Sequence, residues 1–383
     1  MKHNNRQSEF RFVSPPEEFS RKTPREELQF FLGGTQYLPA TRDLRNLVVG
    51  RRNLTFTSLV ACLEDAVSDD ELPYAEENLL SGLFQLSDDI RTGALAEKDV
   101  PLIFIRVRNV NHFTSLVEKL AEPYSEALTG FVFPKFQSVN ASEYFSVLRE
   151  FSASQQRLFY AMPILEGPFV AYSESRQSEL LSLRSVITKE RDYVLNVRIG
   201  GTDFSSLFGV RRSMTASVYD ILPVRDIMSD IINIFGRTSD GFVLSGPVWE
   251  YFLATKKQDL DKVSTNRLTD SLLNRQPVIN PAVDGLLREL VLDKANGLVG
   301  KTVIHPSHLR FVNAMQAVTL EEWEDARQIL GLPGGVTKSP SGNKMNEANP
   351  HKAWAERIIA KGRAYGVIES EADYLSLFEV DSE

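Results

Sequence analysis

Acidic residues follow several short apolar runs of this sequence, and two of these residues form a candidate pair. Glu166 follows "YAMPIL" and Asp203 follows "NVRIGGT". If the two runs are neighbouring strands, their carboxylates can hold one hard cation, because Mg²⁺ and Mn²⁺ prefer oxygen ligands and keep positions for water and substrate. Such a cation chelates a 2-oxo or 2-hydroxy acid and stabilises the enolate formed when an adjacent C–C bond breaks. A helix cap and a surface acid are the alternative roles for these residues.

Basic residues end two further runs and suit a substrate anion. Arg106 and Arg108 alternate along "IFIRVR", so their side chains face opposite ways and only one can face such a site. A guanidinium grips a carboxylate with two parallel hydrogen bonds. We assign this role to Arg106, whereas Arg108 forms either a second anion contact or a structural ion pair. Lys135, after Pro134, either pairs with a carboxylate, which we favour, or forms a Schiff base.

Eight short β-branched and aromatic runs alternate with amphipathic stretches of helical length, which is typical of repeated βα units. This alternation predicts an α/β fold, a (β/α)8 TIM barrel, in which chemistry occurs at the C-terminal ends of the strands. An open doubly wound sheet is the alternative, but "YLPATRDLRN" has no glycine and "IGGTDF" does not match its phosphate loop. The predicted strands span residues 35–40, 58–65, 101–108, 130–136, 157–167, 194–203, 241–248 and 301–307.

The barrel is expected to occupy residues 29–318. Residues 1–28 are polar and without a sustained period, which indicates an N-terminal arm that packs late or not at all. Residues 319–383 form a C-terminal helical extension, with helices at 320–330 and 351–366. Between them, residues 331–350 are rich in Gly and Pro, so we expect a mobile loop that acts as a lid or a joining segment.

Composition excludes several classes of protein. A formal charge of -8 and a sequence pI near 5.4 argue against a nucleic-acid surface, and we interpret "VGRRNL" and "GVRRSM" as solvated faces. The single Cys62 cannot form an internal disulfide and indicates a cytoplasmic setting, and neither a signal peptide nor an apolar run long enough for a membrane is present. Pro306 separates His305 and His308, so these histidines predict no zinc site.

Taken in order, six motifs resemble the HpcH/HpaI aldolase and citrate lyase beta subunit superfamily. They cover about 245 residues, and the segments "GGTQYLPATR" and "SGNKMNEANPHKAWA" resemble more closely a divergent branch, the C–C bond lyases of the TIM-barrel fold. The six motifs are "LEDAV" (63–67), "IRVRN" (105–109), "FPK" (133–135), "ILEGP" (164–168), "IGGTDFSSLFG" (199–209) and "GLVGKTVIHPSHL" (297–309).

This resemblance implies roles for nine residues. It implies that metal-bound water and the neighbouring basic groups are organised by Glu64 and Asp65, both of which we count as catalytic, and that substrate is bound by Arg106, Lys135, Gly201 and Thr202. It also implies that Glu166 and Asp203 are the Mg²⁺ ligands, and that Glu347 is the acid/base, because "SGNKMNE" stands where relatives carry a "DGKMVD"-like stretch whose last Asp has this role. The departures at Asn346 and Glu347 leave the thioester substrate open, and the extra cation of Arg108, where relatives often have R-x-N, suits either a more anionic substrate or a surface pair.

The resemblance further implies a homo-trimer or hexamer in which the C-terminal segment covers the site of a neighbour. The leading hypothesis is a cytoplasmic, Mg²⁺-dependent C–C lyase or aldolase that acts on a 2-oxo or 3-hydroxy acid or its CoA thioester. A catalytically inactive barrel that serves as a binding or scaffold subunit in a biosynthetic cluster is the alternative. Phosphoryl transfer on a barrel is a third, but no phosphate-gripping loop is found in the sequence.

Overall fold

The fold is a single eight-stranded parallel sheet that curls into a nearly closed barrel. The computed structural model describes residues 1–4, 10–50, 56–120, 124–253, 255, 257–260, 263 and 267–379. The strands lie side by side in the order β7-β6-β5-β4-β3-β2-β1-β8. Their bounds are β1 Gly34–Pro39, β2 Ser58–Cys62, β3 Leu102–Arg106, β4 Leu128–Phe133, β5 Tyr160–Leu165, β6 Val197–Ile199, β7 Leu244–Ser245 and β8 Lys301–Val303.

Contacts between β7 and β8 bring the two edges of the sheet together. Gly246 and Lys301 form an isolated parallel bridge, and the Gly246 amide donates to the Gly300 carbonyl at 3.0 Å. The strands are buried on both faces because the barrel interior covers one face and the helices cover the other. The prediction of a (β/α)8 barrel is therefore confirmed.

Helices follow most strands and form the outer layer. In α2, for example, Ala75, Leu79, Leu83 and Leu86 recur at helical spacing and are buried. The helices of the arm and barrel are α1 Arg25–Leu28, α2 Leu72–Arg91, α3 Val110–Lys119, α4 Ser138–Ser154, α5 Pro168–Ala171, α6 Ser173–Lys189, α7 Gly201–Leu207, α8 Leu222–Phe235, α9 Lys257–Leu260, α10 Leu268–Leu273, α11 Pro281–Ala295 and α12 Leu309–Ala314. None of the helices in the described ranges is long and apolar enough to cross a bilayer.

All eight predicted strands exist, but all except the first are shorter than predicted. The predicted sixth strand, 194–203, is the clearest case: β6 ends at Ile199, and Asp203 lies in the first turn of α7. The carboxylate is favoured there because the exposed N–H groups of a helix start carry partial positive charge. The other acidic strand ends likewise lie in loops beyond the barrel layer, where polar groups leave the apolar interior.

The two ends of the chain pack together beneath the barrel. His3 is buried against the rings of Phe19 and Tyr365, and the Tyr365 hydroxyl donates to the Phe30 carbonyl at 2.6 Å. The described part of the N-terminal segment therefore packs against the C-terminal segment, whereas the sequence predicts an arm that packs late or not at all. The division of the chain at residues 28 and 318 stays a prediction.

The C-terminal extension contains two packed helices and a hairpin. Its elements are β9 Val318–Thr319, α13 Leu320–Gly331, β10 Val336–Lys338, β11 Met345–Glu347, α14 Ala348–Tyr365, β12 Val367–Ile368 and α15 Asp373–Phe378. Within residues 331–350, β10 and β11 pair antiparallel, and the mobility expected of this segment stays a prediction. Most of its Gly and Pro residues lie before β10, and only Pro340 and Gly342 lie between the two strands.

Candidate active site

Two carboxylates meet at the C-terminal mouth of the barrel, around Gly200. A Cβ atom placed on Gly200 would lie 2.8 Å from Oε2 of Glu166 and 3.2 Å from Oδ2 of Asp203. Glu166 directly follows β5, and Asp203 follows β6, its neighbour in the sheet. Because Gly200 has no side chain, the two acids can approach each other closely around it, and we call this arrangement the Gly200 cradle.

The environment of this pair disfavours two free negative charges. Burial, followed by the nearby Asp203 carboxylate, raises the pKa of Glu166 to about 8 despite the opposing effect of Arg106. Burial also raises the pKa of Asp203, which lies close enough to hydrogen-bond to Glu166. A divalent cation would supply the missing positive charge and allow both groups to ionise.

The donor set fits Mg²⁺ better than zinc. Within the described ranges, no group of three or more His, Cys, Asp or Glu side chains is placed to hold a metal ion. Mg²⁺ needs only one or two protein carboxylates, because water and substrate oxygens complete its octahedron. The two carboxylate oxygens that converge at Gly200 match this requirement, so the pair fits the metal that the sequence implies.

Arg106 lies beside the pair and joins three acidic side chains. It is the last residue of β3, only 7% of it is exposed, and its Nη2 atom lies 2.8 Å from Glu64 and 3.5 Å from Glu166. Its Nη1 atom lies 3.0 Å from Asp65. The Nε–H group is buried without a hydrogen-bond partner among the described residues, so it can still donate to an incoming acceptor.

Lys135 links the acidic pair to Glu64. Its backbone N–H donates to Glu166 Oε1 at 2.7 Å, and its Nζ donates to Glu64 Oε1 at 2.7 Å. The backbone of Lys135 has a positive φ of 46°, which directs the N–H into the mouth. The hydrogen bond to Glu64 raises the pKa of Lys135, which keeps the amine protonated and does not favour a Schiff base.

Glu64 and Asp65 are adjacent but differ in exposure. Glu64 is buried, and burial raises its pKa, whereas the Asp65 side chain is 58% exposed. Burial acts to raise the pKa of Asp65 as well, but its interactions with Glu64 and Arg106 outweigh this and lower it. Asp65 is therefore an ionised carboxylate at the open side of the mouth.

The cradle makes a direct prediction for Gly200. Gly200→Ala would place its Cβ 2.3 Å from the Cβ of Glu166, although the backbone φ of -86° is acceptable for alanine. We expect the Glu166 carboxylate to be displaced and Mg²⁺ affinity to fall by at least about tenfold, measured by calorimetry. Gly331→Ala is the matched control, because nothing lies within 4 Å of a Cβ there. Equal Mg²⁺ affinities in the two variants would contradict the placement of the metal.

A largely buried ionic network supports the start of α7, which carries Asp203, and no motif of the sequence indicates this network. Thr202 Oγ1 donates to Glu250 at 3.1 Å, and Glu250 accepts from Arg212 Nε at 2.7 Å. Arg212 also reaches Glu289 at 2.6 Å, and Glu289 pairs with Lys301 at 2.8 Å. "GVRRSM" is therefore not a solvated face at Arg212, because this guanidinium is buried and fully used in ion pairs.

Removing Arg212 should be costly to stability. Arg212→Met leaves the buried Glu289 and the half-buried Glu250 with fewer compensating charges, and losing one partner of a buried ion pair typically costs about 3–5 kcal/mol. We expect a lower urea midpoint for this variant, whereas Arg211→Met, at an exposed neighbour, should unfold like the wild type. Coinciding transitions of the two variants would show that the network contributes little.

Three further candidate site residues make contacts that do not involve the Glu166 and Asp203 carboxylates. Arg108 points away from the acidic pair and binds Asp69 and the Leu63 and Val67 carbonyls, which corresponds to the structural ion pair considered for it. Gly201 begins α7, packed against Pro247. Glu347 is exposed at the end of β11, and its described hydrogen bonds involve the hairpin and His351. A catalytic role for Glu347 therefore stays a prediction.

The fold and the mouth define a class: a (β/α)8 barrel with an acidic pair and an arginine at its C-terminal face. The family described as C–C bond lyase of the TIM-barrel fold matches residues 26–367. The chain belongs to this family, and it is by class a carbon–carbon lyase. No curated protein sequence matches the chain.

Several solved structures are similar to this chain at low sequence identity. The protein CitE from Mycobacterium tuberculosis, in complex with magnesium, acetoacetate and coenzyme A, is 18% identical, with a TM-score of 0.52, over 87% of this chain and 98% of the other. The citrate lyase beta subunit of the same organism, with oxaloacetate and magnesium, is 17% identical, with a TM-score of 0.45, over 75% and 97% of the two chains. A malate synthase from Haloferax volcanii, in a lead(II) complex, is 13% identical, with a TM-score of 0.48, over 73% and 71%.

Proposed function

We propose that this protein is a Mg²⁺-dependent lyase or aldolase that cleaves or condenses a 2-oxo or 3-hydroxy acid or its CoA thioester. The observation that carries the proposal is the convergence of Glu166 and Asp203 at the Gly200 cradle. These two carboxylates would hold the metal, with Mn²⁺ as a substitute. When bound, Mg²⁺ supplies Lewis-acid stabilisation of an enolate. The magnesium complex of CitE, which shares the fold, is consistent with this assignment.

Arg106 is proposed to orient the substrate carboxylate. Its terminal nitrogens already contact Glu64, Asp65 and Glu166. Its Nε–H has no acceptor among the described residues and is therefore the donor left for a substrate carboxylate. A carboxylate placed there gains a charge-assisted hydrogen bond in a site with little water. Lys135 adds positive charge beside the same position, and Gly201 and Thr202 are proposed to contact the substrate from the start of α7.

Proton transfer is proposed for two carboxylates. Asp65 is ionised and open to solvent, so it can accept a proton from a group held at Arg106 or from ordered water. Glu347 is proposed as the acid/base contributed by a neighbouring copy within a trimer or hexamer, in the cytoplasm. Light scattering on the purified protein measures the number of copies.

Hybrid oligomers test the role of Glu347. Glu347→Gln and Arg106→Lys should each be inactive, and their mixture should recover about a quarter to a half of the activity if the two residues act in a shared site across copies. The same mixture would stay inactive if Glu347 acts within its own chain, and activity of Glu347→Gln alone would show that Glu347 has no catalytic role.

Metal-dependent binding and enolate formation test the function itself. We expect calorimetry to show that pyruvate binds only with Mg²⁺, and NMR in D2O to show exchange of the pyruvate methyl protons, which requires an enolate. Both signals should be absent in Glu166→Gln. Binding of the acid without exchange would favour the inactive scaffold barrel, and binding indifferent to Mg²⁺ would contradict the proposal. Acetyl-CoA in the same experiment probes the thioester.

A further inference from the structure

A buried cation lies inside the barrel without an acidic partner. Arg198 on β6 is 1% exposed, and among the residues described no carboxylate lies within ion-pair distance of it. Its Nη2 donates to Thr302 at 2.8 Å and its Nη1 to Thr35 at 3.4 Å, while the Nε–H group has no described acceptor. Burying a charge in this way is expensive unless an opposite charge offsets it.

The guanidinium belongs to the layer directly beneath the acidic pair. Arg198 is the central residue of β6 and stands two residues before Gly200, the glycine beside Glu166 and Asp203. Its side chain contacts residues of three other strands, Met162 of β5 among them, so it projects into the barrel interior. Its contacts with Thr35 of β1 and Thr302 of β8 place its head across the barrel axis.

Tyr37 lies beside Arg198 inside the barrel, and we call these two residues the floor of the site. It lies two residues after Thr35 on β1, and the guanidinium of Arg198 is 5.5 Å from its ring centroid. The residue is half-buried, yet its hydroxyl oxygen is buried and has no hydrogen-bond partner among the described residues. The phenol interacts electrostatically with Arg198, Arg106 and Glu166, so it lies between the lower cation and the mouth.

The Tyr37 hydroxyl on β1 and the Arg198 Nε–H on β6 therefore lack hydrogen-bond partners among the described residues, although the terminal nitrogens of Arg198 donate to threonine hydroxyls. A hydroxyl donor and a guanidinium in a low-dielectric site bind an anionic oxygen strongly, because both donate and one carries charge. Through Tyr37, which interacts electrostatically with Arg106 and Glu166, these donors adjoin the position proposed for the metal and Arg106, which together take up the first carboxylate of a substrate. An anion on the floor would thus be a second charged group of the same molecule.

We infer that the Tyr37 hydroxyl and the Arg198 guanidinium form a subsite for a second anionic group of the substrate, a carboxylate or a phosphate. The inference rests on the proposed function and narrows its substrate class to acids with two anionic groups. It also explains why the barrel interior retains a charge that an apolar side chain of similar size would replace with a gain in stability.

Three ligands that share a 2-hydroxy acid test the subsite: lactate with one anionic group, malate with a second carboxylate and 3-phosphoglycerate with a phosphate. In the presence of Mg²⁺ we expect calorimetry to show malate or 3-phosphoglycerate binding at least about tenfold tighter than lactate, and the tighter of the two identifies the second group. Tyr37→Phe and Arg198→Met should remove this preference and leave the lactate and Mg²⁺ affinities unchanged within about twofold.

The variants also separate binding from a structural role. Arg198→Met should have a higher melting temperature than the wild type in the absence of ligand, whereas a purely structural arginine would make the variant less stable. Arg25→Met is the matched control, because Arg25 is a buried arginine that binds the Val194 carbonyl before β6 begins, and it should keep the preference.

Several outcomes overturn the inference. Equal affinities of the wild type for the three ligands would do so, as would a preference that persists in Tyr37→Phe, which remains informative if Arg198→Met fails to fold. Failure of all three ligands to bind with Mg²⁺ would instead count against the proposed function, so the two failures can be distinguished.

Discussion

Glu166→Gln and Asp203→Asn should each lower the Mg²⁺ affinity by at least about 100-fold and abolish turnover. In other proteins, residues that only hydrogen-bond to a metal ligand already change the metal affinity by about 10- to 100-fold. Glu166 and Asp203 are the proposed ligands themselves, so their loss should cost at least as much. Calorimetry with Mg²⁺ measures the effect. Glu179→Gln is the matched control, because Glu179 is also buried but caps α4 at Ser138, outside the mouth. Wild-type affinity in Glu166→Gln would show that the metal binds elsewhere.

Glu166→Gln should also stabilise the metal-free protein at high pH. The pKa of Glu166 is about 8 in the folded state, above its ordinary value of 4.5, so the folded state holds the proton more tightly. Its contribution to the free energy of unfolding is complete below pH 4.5 and is lost as the pH rises through 8. At pH 9 the wild type buries a charge that Glu166→Gln lacks, so the variant should melt a few degrees higher, with a smaller difference at pH 6. A difference that does not grow with pH would contradict the burial of this carboxylate.

Arg106→Lys should reduce turnover by about 100-fold or more, although it keeps the positive charge. A lysine cannot contact Glu64, Asp65 and Glu166 at once and also present a planar N–H to a substrate carboxylate. We expect a higher KM for the acid together with a lower kcat, measured in a steady-state assay once a substrate is found, or by pyruvate exchange before then.

Arg108→Lys is the control for this substitution. Arg108 is two residues further along the same chain, but it binds Asp69 and the Leu63 and Val67 carbonyls instead of the acidic pair. It should keep the exchange rate within about twofold, since a lysine can still serve at the surface. Loss of exchange in both variants to the same degree would refute the specific role of Arg106.

The barrel could be predicted because its strands are buried on both faces and therefore appear as continuous apolar runs. The position of the mouth followed from the ionisable residues that end these runs, and Glu64, Arg106, Lys135, Glu166 and Asp203 indeed lie together there. The predicted strands are too long because the apolar residues of a strand continue into the loop that follows it. The start of α7 at Gly201, for example, is not marked by a change in hydropathy, so the predicted strand runs on into this helix.

Residues that act through tertiary contacts gave weaker signals. Arg198 stands in "NVRIGG" as one cation among apolar neighbours, and only the barrel closure brings Thr35 and Thr302 to it. Arg212 resembles a surface residue in "GVRRSM" because its partners, Glu250 and Glu289, are far along the chain. A buried charge within an apolar run is nevertheless a sequence signal, since such a charge needs a partner or a ligand.

The central claim is that Glu166 and Asp203 hold one divalent cation, and a crystal soaked in Mn²⁺ with pyruvate tests it most directly. Anomalous scattering at the manganese edge locates the ion without reference to the surrounding protein. The account predicts a single strong peak at the Gly200 cradle, about 2.0–2.3 Å from an oxygen of each carboxylate. A peak at another position, or no peak at the cradle while the two carboxyl groups hydrogen-bond to each other, would contradict it.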